Sequence, residues 1–133
     1  MGISSFRILV ADSFERWRRY VCSALEQDQS LRVVGVASDG LDAVQRAIEL
    51  NPDLVLLGLG LPKLNRIEAA KQISKAIPGV KLLFATQTTD ADVIAETLRS
   101  GAHGYIWKMD AGRDLLLAIR AILRGEKFIG DGM

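Results

Sequence analysis

Five residues stand where chemistry could be done: Asp12, Ser13, Gly58, Thr86 and Lys108. Each sits at the end of a short apolar run. Asp12 and Ser13 follow FRILVA, Gly58 follows DLVLL, Thr86 follows VKLLFA and Lys108 follows GYIW. A carboxylate can serve as a nucleophile or activate a hydroxyl as its base. A lysine ammonium nearby can stabilise a developing anion. Asp12 is the one acid in this set, so it is the only candidate base for Ser13 or Thr86. The run DLVLLGLGLP carries no acid, hydroxyl, thiol or amine at Gly58 or Gly60. The single cysteine, Cys22, and the single histidine, His103, argue against a Cys/His metal site and exclude an internal disulfide.

The elements that must position these residues are legible as periodicity. Apolar runs predict strands over 6–11, 31–37, 53–57, 80–85 and 104–107. Spacings of three and four predict helices between them. Phe14, Trp17, Val21, Ala24 and Leu25 form the expected inward face of the first helix, and Leu41, Val44, Ala47 and Ile48 that of the second. Asn51-Pro52, Pro78-Gly79, Gly101 and Gly125 end helices. Five βα units imply a parallel sheet covered on both faces, with right-handed crossovers. The expected fold is α/β, a flavodoxin-like (βα)5 doubly wound sheet of five strands in the order 2-1-3-4-5. In such a sheet the C-terminal strand edges form the ligand crevice, and the ends of strands one, three, four and five meet there. Residues 1–125 are read as one domain. The tail 126–133 is read as a short, glycine-rich, frayed segment.

Bulk properties narrow the class. The chain has 133 residues, a formal net charge of +1 and a quarter of its residues charged. That is a single-domain globular balance, without the basic excess of a nucleic-acid binder. No apolar run approaches the ~18 residues of a membrane span, and MGISSFRILV lacks the layout of a signal peptide. A soluble cytoplasmic domain, with no membrane association and no cofactor, is the expectation.

The words ILVADS, ASDGLDAV, PDLVLLGLGLP, ATQ and SGAHGYIWK, in that order and spacing, resemble the receiver domain of two-component response regulators. The resemblance spans about residues 6–125 and is nearest to receivers of LuxR/NarL-type transcription regulators. It implies an acidic pair after strand one, matched here by Asp12, with Ser13 replacing the second acid. It places the phosphate-accepting aspartate at Gly58, the conserved-type hydroxyl at Thr86, the lysine at Lys108 and the aromatic switch at Tyr105. Glycine cannot accept a phosphoryl group, and the Mg²⁺ of such receivers needs several oxygen ligands. The resemblance therefore implies a degenerate, non-enzymatic receiver with no metal site. Its control would come from a protein partner or from dimerisation through the helix 4–strand 5–helix 5 face, with Trp107 or Tyr105 as an aromatic anchor. DNA would be reached only through a further domain, to which residues 126–133 begin the linker.

The vacated pocket could hold a small ligand or anion beside Lys108, or Ser13 or Thr86 could accept phosphate. Asp12 and Lys108 are expected to pair, directly or through water, unless Lys108 extends to solvent. Thr86 could instead bond local backbone. The cluster RWRRY, with Arg16, Arg18 and Arg19, reads as a solvated face or an anion contact. His103 reads as a solvated loop residue and Cys22 as inert. The loop holding Gly60 and Arg66 departs from the family's pattern and is expected to differ in conformation.

Overall fold

A computed structural model describes residues 5–58, 61–88 and 90–130. Gly60 therefore lies outside the described residues. The order is β1 (Phe6–Ala11), α1 (Glu15–Glu26), β2 (Leu31–Ala37), α2 (Gly40–Leu50), β3 (Leu54–Gly58), α3 (Arg66–Ala76), β4 (Lys81–Thr86), α4 (Ala91–Arg99), β5 (Gly104–Trp107), a 3-10 turn (Lys108–Asp110), α5 (Ala111–Leu123) and β6 (Phe128–Ile129). All strand pairs are parallel, in the order β2-β1-β3-β4-β5-β6.

The sheet thus has six strands rather than the expected five. Phe128 and Ile129 pair with Gly104 and Tyr105, and the Gly130 N–H donates to the Tyr105 carbonyl at 2.8 Å. Two residues are too few to give a strand signature of their own. They are ordered because the outer edge of β5 offers unpaired backbone groups. The tail is not frayed over this stretch.

The sheet is buried on both sides, which is why β3 reads as an unbroken apolar run. Leu54 and Leu56 pack with α1 and α5, in a layer that includes Trp17, Val21, Leu115 and Ile119. Val55 and Leu57 pack with α2, α3 and α4, against Ala47, Ile73 and Ile94. Tyr105 and Ile106 likewise point into opposite layers.

Local chemistry sets the helix starts. Asp39, Asn65 and Asp90 each cap the following helix by accepting backbone N–H groups. α1 has no such cap: Phe14 holds the cap position, and its ring is 57 % exposed instead of lying in the core. On α2 the buried stripe is Gly40, Ala43, Val44 and Ala47, while Leu41 and Ile48 stay exposed. The close packing of α2 on the loop before α3 explains the shift. Gly40 donates to the Pro62 carbonyl at 3.0 Å, and a Cβ there would collide with the backbone of Leu64.

His103 is half-buried and structural, not solvated as expected. Its Nδ1 accepts from the Leu82 N–H at 3.1 Å, and its own N–H donates to the Leu82 carbonyl at 2.9 Å. Burial holds the imidazole below its ordinary value of 6.5, with Lys81 and Lys127 acting in the same direction. The accepting nitrogen must stay unprotonated. The unfolded chain therefore binds the proton first, and the stabilisation is complete above 6.5 and lost as pH falls through the lower folded value. Denaturant melts of the wild type and His103→Asn should differ most at pH 7.5 and converge toward pH 5. A gap that stays constant over that range removes His103 as the cause.

Candidate functional site

The parallel register brings the ends of β1, β3, β4 and β5 to one edge, with Asp12, Gly58, Thr86 and Lys108 on it. Asp12 is 2 % exposed. Its Oδ2 lies 2.7 Å from Lys108 Nζ, whose side chain is also largely buried. The contact is a close, buried ion pair. Oδ1 accepts the Phe14 N–H at 2.9 Å. Arg18 donates to the Asp12 carbonyl oxygen at 2.7 Å, fixing the start of α1 against the strand end.

Gly58 explains where the Asp12 carboxylate goes. A Cβ at position 58 would overlap Asp12 Oδ2 and lie 2.9 Å from its Cγ. The space above the end of β3 is occupied by the neighbouring strand's carboxylate. The space directly over Gly58 is thus filled from within the chain, while open grooves remain on the Phe14 and Thr86 sides of Lys108.

Lys108 is enclosed on its other contacts as well. Nζ stands 5.0 Å from the Phe14 ring centroid and 5.2 Å from that of Trp17. Lys108 does not extend freely to solvent. Thr86 is buried, and its Oγ1 accepts the Thr88 N–H at 3.1 Å, a local backbone bond. Ser13 is exposed at the mouth of the β1–α1 loop and does not join the pair.

Tyr105 and Trp107 do not present anchors to solvent. Tyr105 is 0 % exposed and packs in the α2–α4 layer. Its hydroxyl has no hydrogen-bond partner among the described residues, and burial pushes the phenol above its ordinary value. Thr86 and Arg66 pull weakly the other way, without an aligned bond to the hydroxyl. Trp107 is half-buried against the same layer, with its indole N–H also buried and unpartnered. The alternation along β5 aims both rings inward.

Arg66 is a structural tie that sequence reading treats only as a departure from pattern. Its Nε donates to Thr97 Oγ1 at 3.0 Å, and Nη2 lies 3.7 Å from Glu96. Thr97 in turn donates to the Val93 carbonyl at 2.8 Å. The first residue of α3 is thereby fastened to the last turn of α4. The arginine cluster also divides: Arg18 holds the β1 end, Arg19 pairs with Glu15, and Arg16 projects beside the aromatic rings of α1. Burial and the nearby Glu26 push the Cys22 thiol above its ordinary value, which disfavours the reactive thiolate.

The family model described as the response regulator receiver domain matches residues 8–120. The chain belongs to that family. It is 34 % identical over 120 residues to the transcriptional regulatory protein LiaR of Bacillus subtilis, covering 90 % of this chain and 57 % of LiaR. It is 32 % identical over 124 residues to the oxygen regulatory protein NreC of Staphylococcus epidermidis, covering 92 % and 57 %. Among solved structures, a LuxR-family two-component response regulator from Aurantimonas sp. SI85-9A1 superposes with a TM-score of 0.87 at 29 % identity, over 94 % of this chain and 89 % of that one. The chain thus spans a little over half the length of the curated relatives it matches.

Receivers of this family use Mg²⁺, and the residues here do not fit it. The cation needs near-octahedral oxygen ligation, normally with carboxylates. Among the described residues Asp12 is the only carboxylate at the edge, and both its oxygens are engaged by Lys108 and the Phe14 N–H. Among the described residues no three His, Cys, Asp or Glu side chains gather as a metal group.

Two expectations follow from the buried pair. Asp12→Ala leaves Lys108 uncompensated and should cost about 3 kcal/mol in urea unfolding. The double variant Asp12→Ala/Lys108→Met should recover part of that loss, and strictly additive losses would exclude the coupling. Gly58→Ala should cost about 1–3 kcal/mol by overpacking. That penalty should largely vanish once Asp12 is itself shortened to Ala, because the colliding atoms are gone.

Proposed function

We propose that this chain is a receiver-type interaction module that does not work through aspartyl phosphate. The observation carrying this reading is that the Asp12 carboxylate fills the space over Gly58 and is neutralised there by Lys108. In the receivers it resembles, a carboxylate at the end of β3 accepts phosphate. Here the position has no side chain, and the neighbouring acid is not free to bind a cation. The charge arrangement that phosphorylation would create is replaced by a fixed internal ion pair. Regulation then falls to binding of a protein partner or a second copy.

The similarity to transcription regulators supports a place within a longer regulatory protein, with DNA contacted by a separate domain and residues 126–133 leading toward it. The helix 4–strand 5–helix 5 face remains the proposed contact surface. Since Tyr105 and Trp107 face inward, that contact would be made by the helix surfaces rather than by these two rings. The second reading, an anion held beside Lys108, is less favoured because Asp12 already occupies that charge. Phosphate acceptance by Ser13 or Thr86 lacks an available base, since Asp12 is committed to Lys108.

The test is the intact mass of the chain after incubation with acetyl phosphate and Mg²⁺, beside a receiver that is known to be modified. The expected outcome is no gain of mass. Stoichiometric gain of one phosphoryl group would overturn the reading and direct mapping to Ser13, Thr86 and Asp12.

A further inference from the structure

The head of α1 carries an aromatic surface that the core and the ion pair account for only in part, since Phe14 and Tyr20 stay exposed. Phe14, Trp17 and Tyr20 recur every third residue and so share one side of the helix. Trp17 and Tyr20 stack at 5.6 Å with an interplanar angle of 27°. Trp17 closes the core layer beneath them. Phe14 and Tyr20 are exposed, Tyr20 by 43 %. Together with Arg16, Gln87 and Lys108 these rings line an open groove of about 440 Å³ beside the C-terminal edge of the sheet. That is the volume of a small-molecule site, and the lining is of the usual kind, mostly apolar with a few polar groups.

The charges around the groove decide what it would take. Lys108 is already balanced by Asp12 and covered by two rings. Arg16 is exposed and makes no hydrogen bond or ion pair among the described residues. Its neighbours on the helix are already engaged: Arg18 bonds the Asp12 carbonyl and Glu15 pairs with Arg19. The groove therefore combines exposed aromatic faces, an amide at Gln87 and one uncommitted guanidinium. A planar ring stacks on such faces by its quadrupole and area, and an oxyanion on that ring is the natural partner of a guanidinium.

We propose that this groove is a binding site for a flat aromatic anion, with the ring stacked on Phe14 and Tyr20 and the carboxylate or similar oxyanion held by Arg16. The site goes beyond the receiver reading and stands whether or not position 58 is chemically silent. It is also distinct from the space over Gly58, which Asp12 fills. Occupation would press on Phe14 and Trp17, the rings that cover Lys108, and so would couple a small molecule to the ion pair at the sheet edge.

The test is a ¹H–¹⁵N NMR titration of the whole chain with 2-naphthoate, repeated with its neutral amide and with cyclohexanecarboxylate. Saturable shifts should cluster at Phe14, Arg16, Trp17, Tyr20 and Gln87. Each analogue should bind about tenfold more weakly, one lacking the charge-assisted contact and the other the stacking ring. Arg16→Gln, a change at an exposed position, should bring 2-naphthoate down to the affinity of the amide while leaving the amide itself unchanged. Phe14→Ala should weaken both naphthalene compounds and leave cyclohexanecarboxylate unaffected. Shifts that do not saturate, shifts centred elsewhere, or equal affinity for acid and amide would each overturn the proposal.

Discussion

The close contact between Asp12 and Lys108 organises everything at the functional edge of this sheet. A carboxylate and an ammonium buried this far cannot stand alone, because each would keep too little hydration. The chain therefore has to hold β1 and the end of β5 in register across the intervening strands, or leave a charge unpaired. The surrounding structure serves that requirement. Phe14 gives a backbone N–H to the carboxylate, Arg18 holds the carbonyl behind it, and the rings of Phe14 and Trp17 cover the ammonium. Such a pair contributes more to a unique arrangement than to net stability.

Gly58 and this pair are one feature seen from two strands. A side chain at 58 would compete for the volume that the carboxylate uses, so the pair as it stands is fitted to a glycine there. A second constraint acts on the far layer, where Arg66 reaches from α3 to Thr97 on α4. The two ties hold opposite sides of the crevice. Tyr105 lies buried in the layer that Arg66 ties, its hydroxyl without a hydrogen-bond partner among the described residues.

Much of this was readable in the residues, for definite reasons. The apolar runs of β1, β3 and β4 are continuous because both sheet faces are covered. The meeting of Asp12 with Lys108 followed from the topology and from the scarcity of other charges at the edge. Four things were not readable. β6 is two residues long and exists only because β5 offers an open edge. The inward aim of Tyr105 and Trp107 depends on the register of β5, which the short word GYIW does not set. Phe14 falls on an apolar period but takes the cap position, where the chain turns away from the core. His103 gave no signal at all, because its role is to accept a single backbone N–H from a neighbouring strand.

The collision at position 58 also bears on how such a site could change over generations. Under the proposed reading, an aspartate introduced there would meet an occupied volume and a third buried charge before any benefit of phosphate chemistry appeared. Asp12 would have to withdraw first, and its withdrawal alone strands Lys108. Each single step passes through a less stable protein, so the order of substitutions matters as much as their identity. Under that reading the glycine is entrenched: the carboxylate packed into its space stands between the present chain and an acid at position 58.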